Sequence, residues 1–195
     1  PPMRPAPSFN PTLWNSVDFV VSDVDGVLTD GRLFVSSSGV SKAFHVADGM
    51  AVGLLKGAGI PVHFISGRSD EVVYQRLVLD LRVPPDRVHL NIANKHALLQ
   101  RMLCDISGEI GRPPVWVYIG DDYNDLCALE LGAVFVCPKS RIAFDPLQEI
   151  ASYVTHCHAG EGVLREVTNL ILKAKGLTPP SYAHWQNLMH HELRQ

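Results

Sequence analysis

At 195 residues, 46% hydrophobic and 19% charged, the chain suffices for one globular domain with a full buried core. A formal net charge of -3 gives no basic surface of the kind that nucleic acid or an anionic membrane requires, so neither is an expected partner. Every apolar run falls short of the roughly 18 residues of a membrane span, no signal-peptide pattern opens the chain, and Cys104, Cys127, Cys137 and Cys157 form no CxxC pair, as expected of reduced thiols in a cytoplasmic protein.

Pro1, Pro2, Pro5, Pro7 and Pro11 crowd the opening. They predict an extended, solvated segment over 1–16, either a trimmed end or a linker that follows another domain. Residues 17–22 (VDFVVS) form a β-branched run, as in a strand buried on both faces. Residues 32–46 then carry two strand-like halves around Ser37-Ser38-Gly39, which predicts a β-hairpin inserted after the first strand. Asp48 is the expected N-cap of a helix that carries Leu54 and Leu55 and stops at Gly57 or Gly59. A second strand is expected over 60–66. Ser69 or Asp70 then caps a helix with Val72, Val73, Leu77 and Leu81, which ends before Pro84-Pro85.

A short strand at 88–90 precedes a helix opened by Asn94, with Leu98, Leu99, Met102 and Leu103 at helical spacing. Strands at 115–119, 133–136 and 151–154 alternate with helices at 122–131 and 161–173. Residues 176–195 form a polar tail, broken by Pro179-Pro180, with a short helix over 182–193. The alternation implies an α/β fold: a Rossmann-like parallel sheet between two helical layers, a flap hairpin after strand 1 and no large cap domain. The globular domain spans 17–175.

In open α/β sheets, ligands bind beyond the carboxyl ends of the strands. Asp23-Val24-Asp25-Gly26 follows the first strand and Ser66-Gly67-Arg68 the second. Lys95 opens the next long helix, and Gly120-Asp121-Asp122-Tyr123-Asn124-Asp125 follows the 115–119 strand, so all four groups reach one rim. At about 4 Å apart, a pair of carboxylates repels by roughly 4 kcal/mol at an effective dielectric of 20. The cluster therefore calls for a cation, and oxygen ligands without His or Cys select Mg²⁺ over Zn²⁺.

DVDGVLTDG, ISGR, a lysine at a helix start and IGDDYND, in this order, resemble the four motifs of the haloacid dehalogenase superfamily. The segments FHVADGM, GIPVHFISGR and AGEGVLRE narrow the resemblance to its cap-less, 3-deoxy-D-manno-octulosonate 8-phosphate phosphatase-like branch, which includes nonulosonate 9-phosphate phosphatases. The chain is also similar to the C-terminal domain of some sialic-acid cytidylyltransferases.

The resemblance implies a Mg²⁺-dependent phosphatase acting on a phosphorylated sugar acid. Asp23 is then the nucleophile that forms an aspartyl-phosphate, and Asp25 the acid and base. Ser66, with Gly67, contacts the phosphoryl oxygens, while Lys95 neutralises them and holds Asp23. Asp23, the Asp25 carbonyl and Asp121 are the implied Mg²⁺ ligands, and Asp122 and Asp125 support the ion directly or through water and the loop. Asp25 argues against a dehalogenase, because a halide leaves without a proton.

Arg68, following Ser66, resembles the octulosonate branch, where related 9-phosphate phosphatases tend to carry Glu, and it favours an anionic sugar acid whose carboxylate needs a cation. Arg165, in the late glycine-arginine motif, is expected near the active site of its own or a neighbouring subunit. His156-Cys157-His158 has no second cluster at zinc-like spacing and reads as a strand end. The resemblance also implies a homotetramer, with the apolar Phe34, Val35, Phe44 and Val46 of the hairpin covered by a neighbour. Two alternatives stand beside the sugar-acid phosphatase: a phosphatase for another small metabolite, and a non-catalytic oligomerisation module fused behind a cytidylyltransferase domain.

Overall fold

The computed structural model describes residues 10–37, 39–142, 145–179 and 181–190. Its centre is strand β1, Phe19–Asp23, whose five residues are all buried. The remaining strands of the main sheet are β4 (Val62–Ile65), β5 (Val88–His89), β6 (Trp116–Ile119), β7 (Val134–Lys139) and β8 (Tyr153–His158). They run parallel in the order β5-β4-β1-β6-β7-β8. Between β1 and β4 lies a separate two-stranded antiparallel hairpin, β2 (Phe34–Ser36) and β3 (Gly39–Ser41).

Side chains alternate across β1, and the alternation divides the core into two layers. Val20 joins Val52, Leu55, Val73, Leu77, Val163 and Ile171 on one face. These come from α2 (Val46–Gly57), from α3 (Glu71–Tyr74) with its wider-wound continuation over Gln75–Asp80, and from α7 (Val163–Ala174). Phe19 and Val21 face Leu99, Ala128 and Leu147 on the other. Those belong to α4 (Lys95–Ile110), α5 (Leu126–Glu130) and α6 (Pro146–Ile150). The three-layer α/β architecture is thus the one the alternation implied.

The amino-terminal segment differs from the expectation of an extended chain over 1–16. Pro11–Asn15 is a helix, α1, because the Asn10 side chain accepts from the Thr12 and Leu13 amides and Pro11 supplies a ready-made first turn. Trp14 is 2% exposed and meets Tyr153 edge-on, with ring centroids 5.9 Å apart. Burying an indole outweighs what proline density alone would dictate. Residues 1–9 lie outside the described residues. At the other end Tyr182–His190 forms helix α8, packed against α2, so this part of the tail is docked.

The hairpin is shorter than the 32–46 predicted. Phe44 turns in against the core, and Val46 begins α2. His45, not Asp48, is the N-cap: its Nδ1 accepts from the Ala47 amide at 3.2 Å. Asp48 is instead buried inside the first turn and accepts the Arg165 amide of α7 at 3.0 Å.

The docked Trp14 leads to a measurable expectation. Trp14→Ala should lower unfolding free energy by about 3 kcal/mol, the low end for emptying a buried aromatic site. Urea titration followed by circular dichroism reads it. A change under about 1 kcal/mol would mean that α1 does not stabilise the domain.

Candidate active site

The chain leaves β1 toward β4 and β5 on one side, then returns to build β6, β7 and β8 on the other. This reversal opens a crevice at the carboxyl ends of β1 and β6, the place where open α/β sheets bind ligands. Asp23 is the last residue of β1 and is 6% exposed. Asn94 caps α4 by accepting the Ala97 amide at 3.0 Å, which sets Lys95 as the first helical residue.

A lysine in a first turn opposes the helix dipole by about 0.3–1 kcal/mol. Lys95 is nevertheless buried there, with its Nζ 2.7 Å from Asp23 Oδ1 and 2.7 Å from Asp125 Oδ1. Burial works against the ammonium, but the charges of Asp125 and Asp23 outweigh it and hold its pKa above the ordinary lysine value.

Asp125 is fully buried and saturated with donors. Lys95 and the Tyr118 hydroxyl, at 2.6 Å, donate to Oδ1. The amides of Asp121 and Asp122 donate to Oδ2 at 3.0 and 3.2 Å. Asp125 therefore folds the loop after β6 back on itself and presents Asp121. Two glycines allow the close approach. A Cβ on Gly120 would lie 2.5 Å from Asp125 Cβ, and one on Gly26, at φ +84°, would lie 1.8 Å from Asp121 Oδ2.

Asp23, Asp121 and Asp125 each offer an oxygen within 4.8 Å of the others. Burial, reinforced by the Asp125 charge, raises Asp23 to about 7 despite Lys95. Burial and the charges of Asp23, Asp125 and Asp122 raise Asp121 to about 8. One lysine is too little positive charge for this trio, and its oxygen-only donor set fits a small, hard divalent cation.

Asp25 is half-buried. Its Oδ2 accepts from Ser66 Oγ at 3.3 Å, and its Oδ1 meets Lys42 Nζ at 2.5 Å. Ser66 is 1% exposed and fixed through its backbone, donating to the His89 carbonyl and accepting from the Ile92 amide. Gly67 and Arg68 are exposed beside it. Arg68 already grips Asp70 through Nε at 2.6 Å and a terminal nitrogen at 3.0 Å.

Two expected site residues make other contacts within this chain. Asp122 is exposed and its Oδ1 accepts the Tyr123 amide at 2.7 Å, so it caps the following turn outside the carboxylate cluster. Arg165 bonds Asn169 on its own helix and lines a cavity with Met50, Leu54 and Trp185. His158 sits at the end of β8 with Nδ1 2.8 Å from the Lys139 carbonyl oxygen.

Sequence reading missed Lys42 and Tyr118. Lys42 had a signal, as the sole Asp, Glu, Lys or Arg between Arg32 and Asp48. Tyr118 had none, because a tyrosine inside a buried strand reads as core. Beside Asp121 opens a cleft of about 650 Å³ whose wall includes Arg32, His45, Lys139, Arg141 and His158.

No family model matches the chain. It is 34% identical over 165 residues to the 3-deoxy-D-manno-octulosonate 8-phosphate phosphatase of Haemophilus influenzae, covering 83% of this chain and 86% of that one. The crystal structure of the enzyme of that name from Yersinia pestis superposes with a TM-score of 0.75 at 27% identity, covering 85% of this chain and 86% of the other. The one from Moraxella catarrhalis, in complex with a magnesium ion, a phosphate ion and KDO, does so with a TM-score of 0.71 at 29% identity, over 85% and 91%.

The raised carboxylates give a signed pH effect. Asp23 and Asp121 hold their protons more tightly folded than unfolded, so the cation-free protein is most stable below about pH 4 as far as these two groups go. Their contribution is lost as pH rises through about 7 and about 8. Mg²⁺ should therefore raise the melting temperature more at pH 8.5 than at pH 6. Differential scanning fluorimetry across that range checks it, and a Mg²⁺ shift independent of pH would contradict the assignment of Asp23 and Asp121 as its ligands.

Proposed function

The chain belongs to the 3-deoxy-D-manno-octulosonate 8-phosphate phosphatase branch of the haloacid dehalogenase superfamily, and on that premise we propose that it is a Mg²⁺-dependent phosphatase that releases phosphate from 3-deoxy-D-manno-octulosonate 8-phosphate through an aspartyl-phosphate on Asp23. The observation that carries this reading is the buried Asp23 carboxylate, held by Lys95 and 4.8 Å or less from the Asp121 carboxylate.

Asp23 attacks phosphorus, forming the aspartyl-phosphate as the ester P–O bond breaks. Asp25 gives a proton to the departing sugar oxygen. It then takes one from the water that hydrolyses the aspartyl-phosphate, which returns Asp23 to its carboxylate. Ser66 Oγ and Lys95 Nζ face the phosphoryl oxygens. Asp23, Asp121 and the Asp25 carbonyl would hold Mg²⁺, whose contribution is to draw charge from the phosphoryl oxygens. Asp125 acts through the loop: its oxygens are committed to Lys95, Tyr118 and two amides.

The cleft beside Asp121 supports a sugar acid as substrate. Its volume suits a ligand of that size, and Lys139 offers its wall a cation beside Arg32 and Arg141, which pair with Asp30 and Glu161. Arg68, tied to Asp70 on one edge and exposed on the other, is a second cationic contact. The intact set of Asp23, Asp25, Lys95 and Asp121 supports an enzyme over a non-catalytic module fused to a cytidylyltransferase.

The assembly is proposed as a homotetramer. Phe34 and Val35 are 65% and 75% exposed on a hairpin that pairs only with itself among the described residues. The described cysteines are all unpaired, which supports a reducing compartment such as the cytoplasm. No helix among the described residues is long and apolar enough to cross a membrane.

With 3-deoxy-D-manno-octulosonate 8-phosphate and Mg²⁺, phosphate release should be readily measured, stop on chelation, and fall at least about 1,000-fold in Asp23→Asn, as loss of a covalent nucleophile does elsewhere. A wild-type chain that releases no phosphate refutes the reading. Light scattering should return four times the chain mass; a fully active monomer would refute the tetramer.

A further inference from the structure

One charged side chain beside the reacting groups has no part in the reaction above. Lys42 follows β3 directly, and its side chain is completely covered (0% exposed). A buried ammonium persists only where acceptors surround it. Here there are two: Asp25 Oδ1 at 2.5 Å and Asp70 Oδ2 at 2.7 Å. Asp70 is in turn clamped by Arg68, whose hydrogen bonds pull it down to about 2. The charges thus alternate along a line from Arg68 through Asp70 and Lys42 to Asp25.

The line divides the two oxygens of Asp25. Oδ1 faces the protein interior and Lys42. Oδ2 faces Ser66 Oγ, on the side where phosphate is held. We propose that Lys42 is a positioning residue of the hydrolysis, which by holding Asp25 Oδ1 aims Oδ2 at the ester oxygen, with Asp70 and Arg68 as its anchor. The inference rests on the phosphatase reading given above.

Because Lys42 is covered, it touches no substrate and acts through Asp25. In the first step the ester P–O bond breaks as the bond from Asp23 to phosphorus forms, and the sugar oxygen takes the proton from Oδ2. In the second, water attacks phosphorus, its proton passes to Oδ2, and the bond to Asp23 breaks. A carboxyl free to rotate places its proton correctly only part of the time, so both steps depend on the same clamp. The contact also ties the return of the hairpin to the rim, since β2 and β3 pair only with each other among the described residues.

The test compares kcat/KM on two esters. 3-Deoxy-D-manno-octulosonate 8-phosphate leaves as an alkoxide that needs a proton, whereas p-nitrophenyl phosphate leaves as a stable phenolate that does not. Lys42→Met should lose about 100-fold in kcat/KM on the sugar ester and less than about fivefold on the aryl ester, because kcat/KM reports the first step and the hydrolysis of the aspartyl-phosphate is common to both. Lys42→Arg should recover at least about tenfold of the loss, and Asp70→Asn should show the same ester preference more weakly.

Equal losses on the two esters would reduce Lys42 to a structural ion pair and overturn the proposal, as would no loss on either. Should Lys42→Met fail to fold by near-ultraviolet circular dichroism, Asp70→Asn decides by the same ratio, since it leaves Lys42 and Asp25 in place. A wild-type chain inactive on both esters with Mg²⁺ defeats the phosphatase reading, and this inference with it. One active on other alkyl phosphates but not on this one defeats only the choice of sugar, and the ratio is then read on the alkyl ester it accepts.

Discussion

The rest of the site depends on a shortage of positive charge. Asp23, Asp121 and Asp125 converge beyond the ends of β1 and β6, where little water reaches them. Lys95 is the one ammonium bonded to any of them among the described residues, and it serves two. Each like-charge pair at about 4 Å costs roughly as much as one ion pair returns at the same dielectric. Three carboxylates make three repulsions against the two attractions of Lys95, and the excess appears as protons retained on Asp23 and Asp121. A divalent cation removes that excess. The arrangement therefore fits a divalent cation, whose charge would also favour an anionic group beside it.

Such convergence needs a rigid frame, and the sheet provides it. β1 is bonded on both sides, to β4 and β6, and none of its residues is exposed. What the strands cannot supply is an approach close enough for the carboxylates to share one ion. Gly26 and Gly120 supply it, since any side chain at either position would overlap a carboxylate. Asp125 then closes the loop with every acceptor filled. That commitment separates its work from that of Asp121: one holds the loop, the other is held out by it.

Much of this was legible in the residues. A continuous β-branched run marks a strand buried on both faces, and charged or hydroxyl residues at its end belong to the rim, which located Asp23, Asp25, Ser66, Lys95 and Asp121. What was not legible turned on which way a side chain points once a helix has begun. Asp122 and Asp125 look equivalent in sequence, yet only the second is turned inward, because a residue at the third helical position can reach back to the amides that start the turn. Arg165 sits in a motif that resembles an active-site loop, and within its own chain its guanidinium is turned to Asn169. α1 was hidden by proline density, since composition does not register that Asn10 and Pro11 are favourable at a helix start and that Trp14 gains from burial. Lys42 lay hidden because its partners are distant in the chain.

Asp23 and Asp25, two residues apart, end up treated alike. Each has one oxygen bonded to a buried lysine: Asp23 Oδ1 to Lys95, Asp25 Oδ1 to Lys42. The lysines come from opposite parts of the fold, one from the first turn of α4 and one from the end of the hairpin. A carboxylate alone rotates between equivalent oxygens, and a reaction that needs one oxygen for attack and another for proton transfer loses rate to that freedom. Tying one oxygen of each to a fixed cation distinguishes the pair at little cost in charge, because each lysine also answers a second carboxylate, Asp125 or Asp70. The hairpin, which adds nothing to the main sheet, is thereby joined to the rim through Lys42. With Asp25 as the acid of the proposed reaction, the placement of the flap is then linked to the orientation of that acid.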